Sequence, residues 1–275
     1  MTAAATTPHA RVVHRARGRF GDVFVVDEGR RRYLRFGSPD GTDQSVFDPR
    51  APERLTSAYL HAVLVGTLLA EPLESALLLG LGAGGFFRFA RRHLPRLAID
   101  AVEIDPVVVR LARRYFAVAT DRRRRIHVDD AAIHLERVLE AGRRYDLVIL
   151  DAYFGSQIPA PLQRRKFFVQ IRSALTPRGI AIVNVGLPEK RAEDVALARL
   201  ASVFRGHCFE LRNEEDDNRV AVAARFPLPG RRELLARIRA IDATGELPLP
   251  LAGIAATRRP CPRPRPRVPR GSSGA

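Results

Sequence analysis

The chain has 275 residues, 46% hydrophobic and 28% charged. That is the make-up of one large folded domain, or a domain plus a small addition, and it excludes wholesale disorder and collagen-like order. Basic residues number 46 against 30 acidic ones, a formal charge of +16, which raises nucleic acid, an anionic membrane surface or acidic partners as candidates. Only Lys166 and Lys190 are lysines, an arginine bias that a GC-rich coding sequence also produces. Two cysteines, Cys208 and Cys261, are too few for a disulfide framework or a cysteine-rich zinc site.

Residues 1–10 are small and polar and are expected to be disordered. Residues 20–27 and 32–36 alternate like strands around Glu28-Gly29-Arg30-Arg31, a hairpin signal. Residues 44–47 add a third short strand, so 11–50 form a small antiparallel β unit. Residues 52–69 read as a helix, with Leu55, Tyr59, Val63 and Leu64 at helical spacing. The N-terminus has no apolar run of signal-peptide length. The apolar stretch 62–81 is broken by Glu71, Pro72 and Glu74, so the expectation is a cytoplasmic chain without a membrane span.

From residue 75 strands and helices alternate. Strands are predicted at 76–79, 97–102, 126–128, 147–150 and 179–185. Helices are predicted at 84–93, 106–115, 130–141, 161–175 and 192–204, with Pro106 at a first-turn position. Continuous apolar strands between helices indicate a parallel sheet covered on both faces. Segments 208–211 and 219–224, joined by an acidic turn, read as an antiparallel hairpin closing the sheet. Residues 51–257 thus make one α/β domain with a leading helix. Residues 258–275 alternate Arg with Pro and read as an extended tail that carries Cys261 as a free thiol. Cys208 reads as a buried strand residue.

In an open α/β sheet, ligands bind beyond the carboxyl ends of the strands. Four consecutive strands there present Gly80-Leu81-Gly82-Ala83-Gly84-Gly85, then Glu103-Ile104-Asp105, then Asp129-Asp130, then Asp151-Ala152-Tyr153. A glycine loop admits a ligand to the backbone, or serves only as a tight turn. Glu103 stands about 20 residues on, where a carboxylate accepts two ribose hydroxyls, or is simply solvated. Asp130 starts a helix and either caps it or meets an adenine amino group. Asp151 follows Leu147-Val148-Ile149-Leu150 directly, and a carboxylate so placed is costly to desolvate unless paired or used. A β unit ahead of the glycine loop and a terminal hairpin fit a Rossmann-like, S-adenosylmethionine-methyltransferase-type sheet better than an NAD dehydrogenase. His127, His134 and His207 are scattered, so no metal is expected, and His134 is expected on an exposed helix face. Arg122–Arg125 reads as a solvated turn.

These residues resemble the spermidine synthase (polyamine aminopropyltransferase) family across about residues 20–225. The motifs are LLLGLGAGG, AVEIDPVVV, RIHVDDA and YDLVILDAYFG, in that order after the β unit and the helix with Tyr59. The resemblance implies transfer of an aminopropyl group from decarboxylated S-adenosylmethionine to a small-molecule amine acceptor, in polyamine biosynthesis. It implies that Glu103 holds the ribose, Asp130 the adenine, and Gly80, Gly82 and Gly84 the nucleoside. Asp151 would orient the attacking amine or take its proton, Gln44 and Tyr59 would line the site, and Tyr59 would lie near the attacking nitrogen. No cofactor would be bound permanently; the adenosyl donor is a co-substrate. A homodimer or homotetramer through the N-terminal unit is the expected assembly.

The chain departs from the family pattern at three places: Ala83 and Phe154 stand where acids are usual, and the pair Leu60-His61 where His-Glu is usual. Methyl transfer from intact S-adenosylmethionine is therefore the alternative, because an acid at 83 would repel the donor's carboxylate. A non-catalytic or nucleic-acid-binding protein is a third reading. The tail lacks the aromatic residues that stack on bases, so no nucleic-acid partner is expected. The first 19 residues hold four Arg and no acid, and the last 18 hold six Arg and no acid, leaving +6 for residues 20–257. Most of the excess charge is thereby assigned to flexible ends, and the predicted site is acidic, gathering Glu103, Asp105, Asp129, Asp130 and Asp151.

Overall fold

The computed structural model describes residues 10–41, 43–153, 159–186, 189–212 and 218–262, without the side chain of Gln44. Four strands open the chain: β1 (Arg11–Gly18), β2 (Gly21–Glu28), β3 (Arg31–Phe36) and β4 (Asp43–Phe47), forming an antiparallel sheet in sequential order. Val23, Val25 and Leu34 on its inner face pack with Phe47, Val107, Val108 and Leu111. The strand 11–18 has too many arginines to read as one from sequence. Its register against β2 sets Arg11 opposite Asp27 (3.3 Å) and Arg17 opposite Asp22 (3.5 Å), and Arg15 reaches Asp22 diagonally at 2.6 Å, so its charged side chains are met across the ladder.

The helix expected over 52–69 is shorter, α1 (Tyr59–Thr67), and is preceded by turns. Nearly every side of α1 is buried, as in a helix enclosed by a larger core.

The rest is an α/β unit. In chain order it comprises β5 (Ser75–Leu79), α2 (Gly85–His93), β6 (Ala98–Glu103), α3 (Pro106–Tyr115), β7 (Arg124–Val128), α4 (Ala131–Glu140) and β8 (Tyr145–Leu150). A 3-10 turn (Ala160–Gln163) follows, then α5 (Arg165–Ala174), β9 (Leu175–Asn184), α6 (Lys190–Val203), β10 (Cys208–Arg212), β11 (Arg219–Ala224), α7 (Arg231–Thr244), α8 (Ala252–Ala256) and β12 (Arg259–Pro260). Strand order is β12-β10-β11-β9-β8-β5-β6-β7. The strands β5 to β9 run parallel, whereas β11, β10 and β12 pair antiparallel. The order reverses between β5 and β8, the switch point where a crevice opens. Side chains alternate across the sheet: Ala76 and Leu78 pack under α1 and α2, while Leu77 and Leu79 face α5 and α6.

Several expectations change. The helix expected over 161–175 is split, because Arg164 is extended between the 3-10 turn and α5. Arg124 is not a solvated turn residue: it is 4% exposed, pairs with Asp121 at 3.0 Å, and donates to the carbonyls of Leu94 and Pro95. His134 is not on an exposed face; its ring lies 4.9 Å from that of His127 and its Nδ1 is 3.2 Å from Asp129. α7 was not legible among its arginines and α8 is only five residues long, yet Leu234 and Ile238, one turn apart, bury α7 against α1's side of the sheet. The reading of 258–275 as an extended tail fails at its start. Arg259 and Pro260 pair with β10, Arg258 lies 4.7 Å over the Phe209 ring, and Cys261 is buried. Unpaired backbone groups on the outer side of β10 are the physical reason a strand is held there. Residues 263–275 lie outside the described residues.

Candidate active site

The carboxyl ends of β5, β6, β7, β8 and β9 meet β4 and α1 around a cavity of about 940 Å³. Tyr59, Gly80, Gly82, Gly84, Glu103, Asp130 and Asp151 all line it. Gln44 lies within β4, but its side chain is outside the described residues, as is Phe154. Its neighbour Ser45 is in the wall, and its Oγ accepts the Ala83 N–H at 3.1 Å.

The glycine loop has an internal cause. Gly80 has φ +109°, and a Cβ there would strike the backbone carbonyl of Asp151. An L side chain fits neither the dihedral nor the space. The neighbouring strand end, as much as any ligand, therefore requires glycine at position 80. The loop is tied to β6 by Glu103, which accepts the N–H groups of Leu81 (3.2 Å), Gly82 (3.3 Å) and Asp105 (3.1 Å). Burial pushes the Glu103 carboxyl up, and the three N–H donors oppose that shift.

Asp130 is the helix cap of α4: its Oδ1 accepts from Ala132 (2.8 Å) and Ile133 (3.2 Å). Both bonds use the same oxygen, so Oδ2 keeps its capacity to accept. Asp129 receives Arg137 at 2.6 Å and His134. Asp105 does not belong to the open acidic edge predicted for it. It is 4% exposed, caps α3 through Val107 N–H (2.8 Å), and accepts Arg19 N–H (2.7 Å), fastening the N-terminal sheet to the α/β unit. Ala83 is equally withdrawn: it is fully buried, packs among Phe47, Val107 and Phe116, and is not part of the cavity wall.

Asp151 carries the most suggestive geometry. The Tyr59 hydroxyl donates to Oδ2 at 2.8 Å and the Asn184 amide to Oδ1 at 2.9 Å. A carboxylate only accepts, so these two bonds fix both its position and the orientation of the Asn184 amide. Burial raises the Asp151 carboxyl, opposed by the two hydrogen bonds. Asn184 was missed from sequence. Its one signal is a polar side chain closing the apolar run 180–183, the same signal that singles out Asp151. Among the described residues, no three His, Cys, Asp or Glu side chains group to hold a metal. No helix among them is long and apolar enough to cross a membrane.

The site's neighbours in sequence and in fold agree. A polyamine aminopropyltransferase from Neisseria meningitidis is 31% identical over 210 residues, 76% of this chain and 78% of that one. The crystal structure of a probable spermidine synthase from Corynebacterium glutamicum superposes with a TM-score of 0.70 at 18% identity, covering 91% of each chain. Human methyltransferase-like protein 13 in complex with SAH gives a TM-score of 0.61 at 25% identity, covering 70% of this chain and 95% of that one. The family model for the spermine/spermidine synthase domain matches residues 59–203, more than half of the chain. With the switch-point crevice and its acid-lined cavity in the same segment, the chain belongs to the spermine/spermidine synthase family.

Proposed function

We propose that the chain transfers an aminopropyl group from decarboxylated S-adenosylmethionine to a small-molecule amine. The observation that carries this reading is Asp151, a desolvated carboxylate held by Tyr59 and Asn184 in the wall that also contains the glycine loop and Glu103. Glu103 holds the ribose hydroxyls with the acceptor capacity left after its three backbone bonds, and Asp130 Oδ2 accepts the adenine amino group. Asp151 attracts the cationic acceptor and takes its proton. The amine's lone pair forms the new C–N bond at the carbon beside the sulfonium. The C–S bond breaks with its electron pair going to sulfur, which leaves as methylthioadenosine, and the product nitrogen keeps its remaining protons and the positive charge. A raised carboxyl is a stronger base than an ordinary one, which suits this transfer.

Methyl transfer from intact S-adenosylmethionine is the second reading, supported by the likeness to methyltransferase-like protein 13 in complex with SAH, whereas Ala83, withdrawn from the cavity, does not discriminate between the donors. Purified protein is incubated with each donor and a panel of amines, and the products are read by mass spectrometry. Amines heavier by an aminopropyl group, formed only from the decarboxylated donor, support the proposal. Methylated products from the intact donor, with the decarboxylated one neither bound nor consumed, overturn it.

A further inference from the structure

The two cysteines, 53 positions apart in sequence, meet at the far border of the sheet. β12 pairs antiparallel with β10 in the register Phe209 to Pro260 and Glu210 to Arg259. One step further along that register, Cys208 faces Cys261. Residues directly opposite in an antiparallel pair have Cα atoms about 4.5–5.5 Å apart, inside the span a disulfide bridges. Both cysteines are 8% exposed, both join the same apolar cluster, and their thiols are within hydrogen-bonding reach of each other. Both are free in the structure.

We propose that Cys208 and Cys261 form a dithiol–disulfide site that, when oxidised, locks the segment 258–262 onto β10. The co-reactant is a small-molecule disulfide such as glutathione disulfide. β12 is only two residues long, so its opening exposes Cys261. The Cys261 thiolate attacks one sulfur of the reagent, forming a mixed disulfide and releasing one thiol. When the strand closes, Cys208 attacks Cys261 Sγ and expels the second thiol. Two protein thiols lose two electrons and two protons, and one reagent disulfide is reduced to two thiols. The hydrogen bond with Cys208, and then burial, hold the Cys261 thiol well above its ordinary range, so the reaction is slow at neutral pH and quickens as pH rises.

This site is remote from the cavity. Cys208 pairs with Ala223, whereas the other end of β10, Arg212, pairs with Arg219 beside Asn184. Oxidation should therefore leave catalysis unchanged and act on stability, independently of the proposed activity.

The test uses the full chain, reduced and then treated with glutathione disulfide, denatured in an alkylating reagent, and weighed intact. The expected product is lighter than the reduced chain by about 2 Da and takes no alkyl group. A proteolytic digest should contain one peptide joining the segments around 208 and 261. Its melting temperature should rise by roughly several degrees, because a loop of about 50 residues is closed. Cys208→Ser and Cys261→Ser should each stop at a single glutathionyl adduct or remain unmodified, and never lose the mass of two hydrogens within one chain. The proposal is overturned if the wild-type chain keeps two alkylatable thiols while a control dithiol peptide in the same tube is oxidised. Glutathionyl adducts without the internal link would overturn it equally.

Discussion

Asp151 stands in the cavity wall with one hydrogen bond to each oxygen, and its burial has opposite consequences for stability and for chemistry. Its pKa is raised in the fold from 3.8, mainly by desolvation. The folded state thus binds its proton more readily than the unfolded chain, and ionisation weakens the fold as pH rises. Asp151→Asn should melt at higher temperature than the wild type above the raised pKa. That advantage should fade as pH falls through the window down to 3.8. The same variant should bind methylthioadenosine normally and lose roughly 10²–10⁴-fold in turnover. Full turnover would remove Asp151 from the mechanism. Tyr59→Phe deletes a bond that lowers the Asp151 pKa, so the acid limb of its rate profile should move to higher pH. An unmoved limb would separate Tyr59 from that carboxylate. At Asp130, replacement by Ala removes the α4 cap and should cost about 1 kcal/mol in denaturant unfolding. Asp130→Asn keeps a capping oxygen, so it should fold like the wild type while binding nucleoside more weakly. Glu103 and Asp151 were legible because each closes an apolar strand on a motif, and Asp130 because it opens a helix just past a strand end. Asp105 closes one too, and sequence alone does not distinguish a carboxylate facing a cavity from one consumed by a helix end and a distant backbone N–H. Asn184 lacked any motif, because its partner at the end of the neighbouring strand is fixed only by folding.

At the scale of elements, the alternation of apolar strands and helices made the parallel sheet readable, since both its faces are covered. Elements held by charge were harder to see. β1 is carried by ion pairs to Asp22 and Asp27, and α7 shows only a narrow apolar seam between arginines. The ion cluster that binds β10, β11 and α6 was invisible for the same reason. Arg219 is 6% exposed and reaches Glu210 at 2.6 Å, Asp194 at 2.8 Å and Glu193 at 3.2 Å. Glu193 and Glu210 are themselves buried. Arg219→Ala should cost about 3 kcal/mol, because it removes the cation shared by two buried carboxylates, of which Glu210 keeps Arg212 at 3.1 Å. A loss under about 1 kcal/mol, the range of exposed pairs, would show that water reaches them. The glycine loop gives a sharper case. Gly80→Ala should lose nucleoside binding and destabilise the chain together, since the added methyl would push the ends of β5 and β8 apart.

Across the whole molecule, the charge of +16 is distributed differently from the expectation of flexible basic ends. Arg11, Arg15 and Arg17 lie in a strand and face carboxylates on β2. Arg258 and Arg259 belong to the last turn and strand of the fold, one of them against Phe209. The cavity wall sets Glu103, Asp130 and Asp151 beside two cations, Arg19 and Lys190, a lining richer in acid than in base, which suits a cationic donor and acceptor better than an anionic polymer. The two-residue strand β12 has a further consequence for how the protein behaves in bulk. Pro260 offers no backbone N–H for another strand to bond, so among the described residues the eight-stranded sheet terminates in a residue that refuses a ninth. A chain cut at residue 257 would bare the row of hydrogen-bonding groups along β10 beside the ring of Phe209, a template for pairing with its own copies. Such a truncation should form oligomers or fibres on concentration, visible by light scattering, whereas a cut at 262 should stay as dispersed as the full chain.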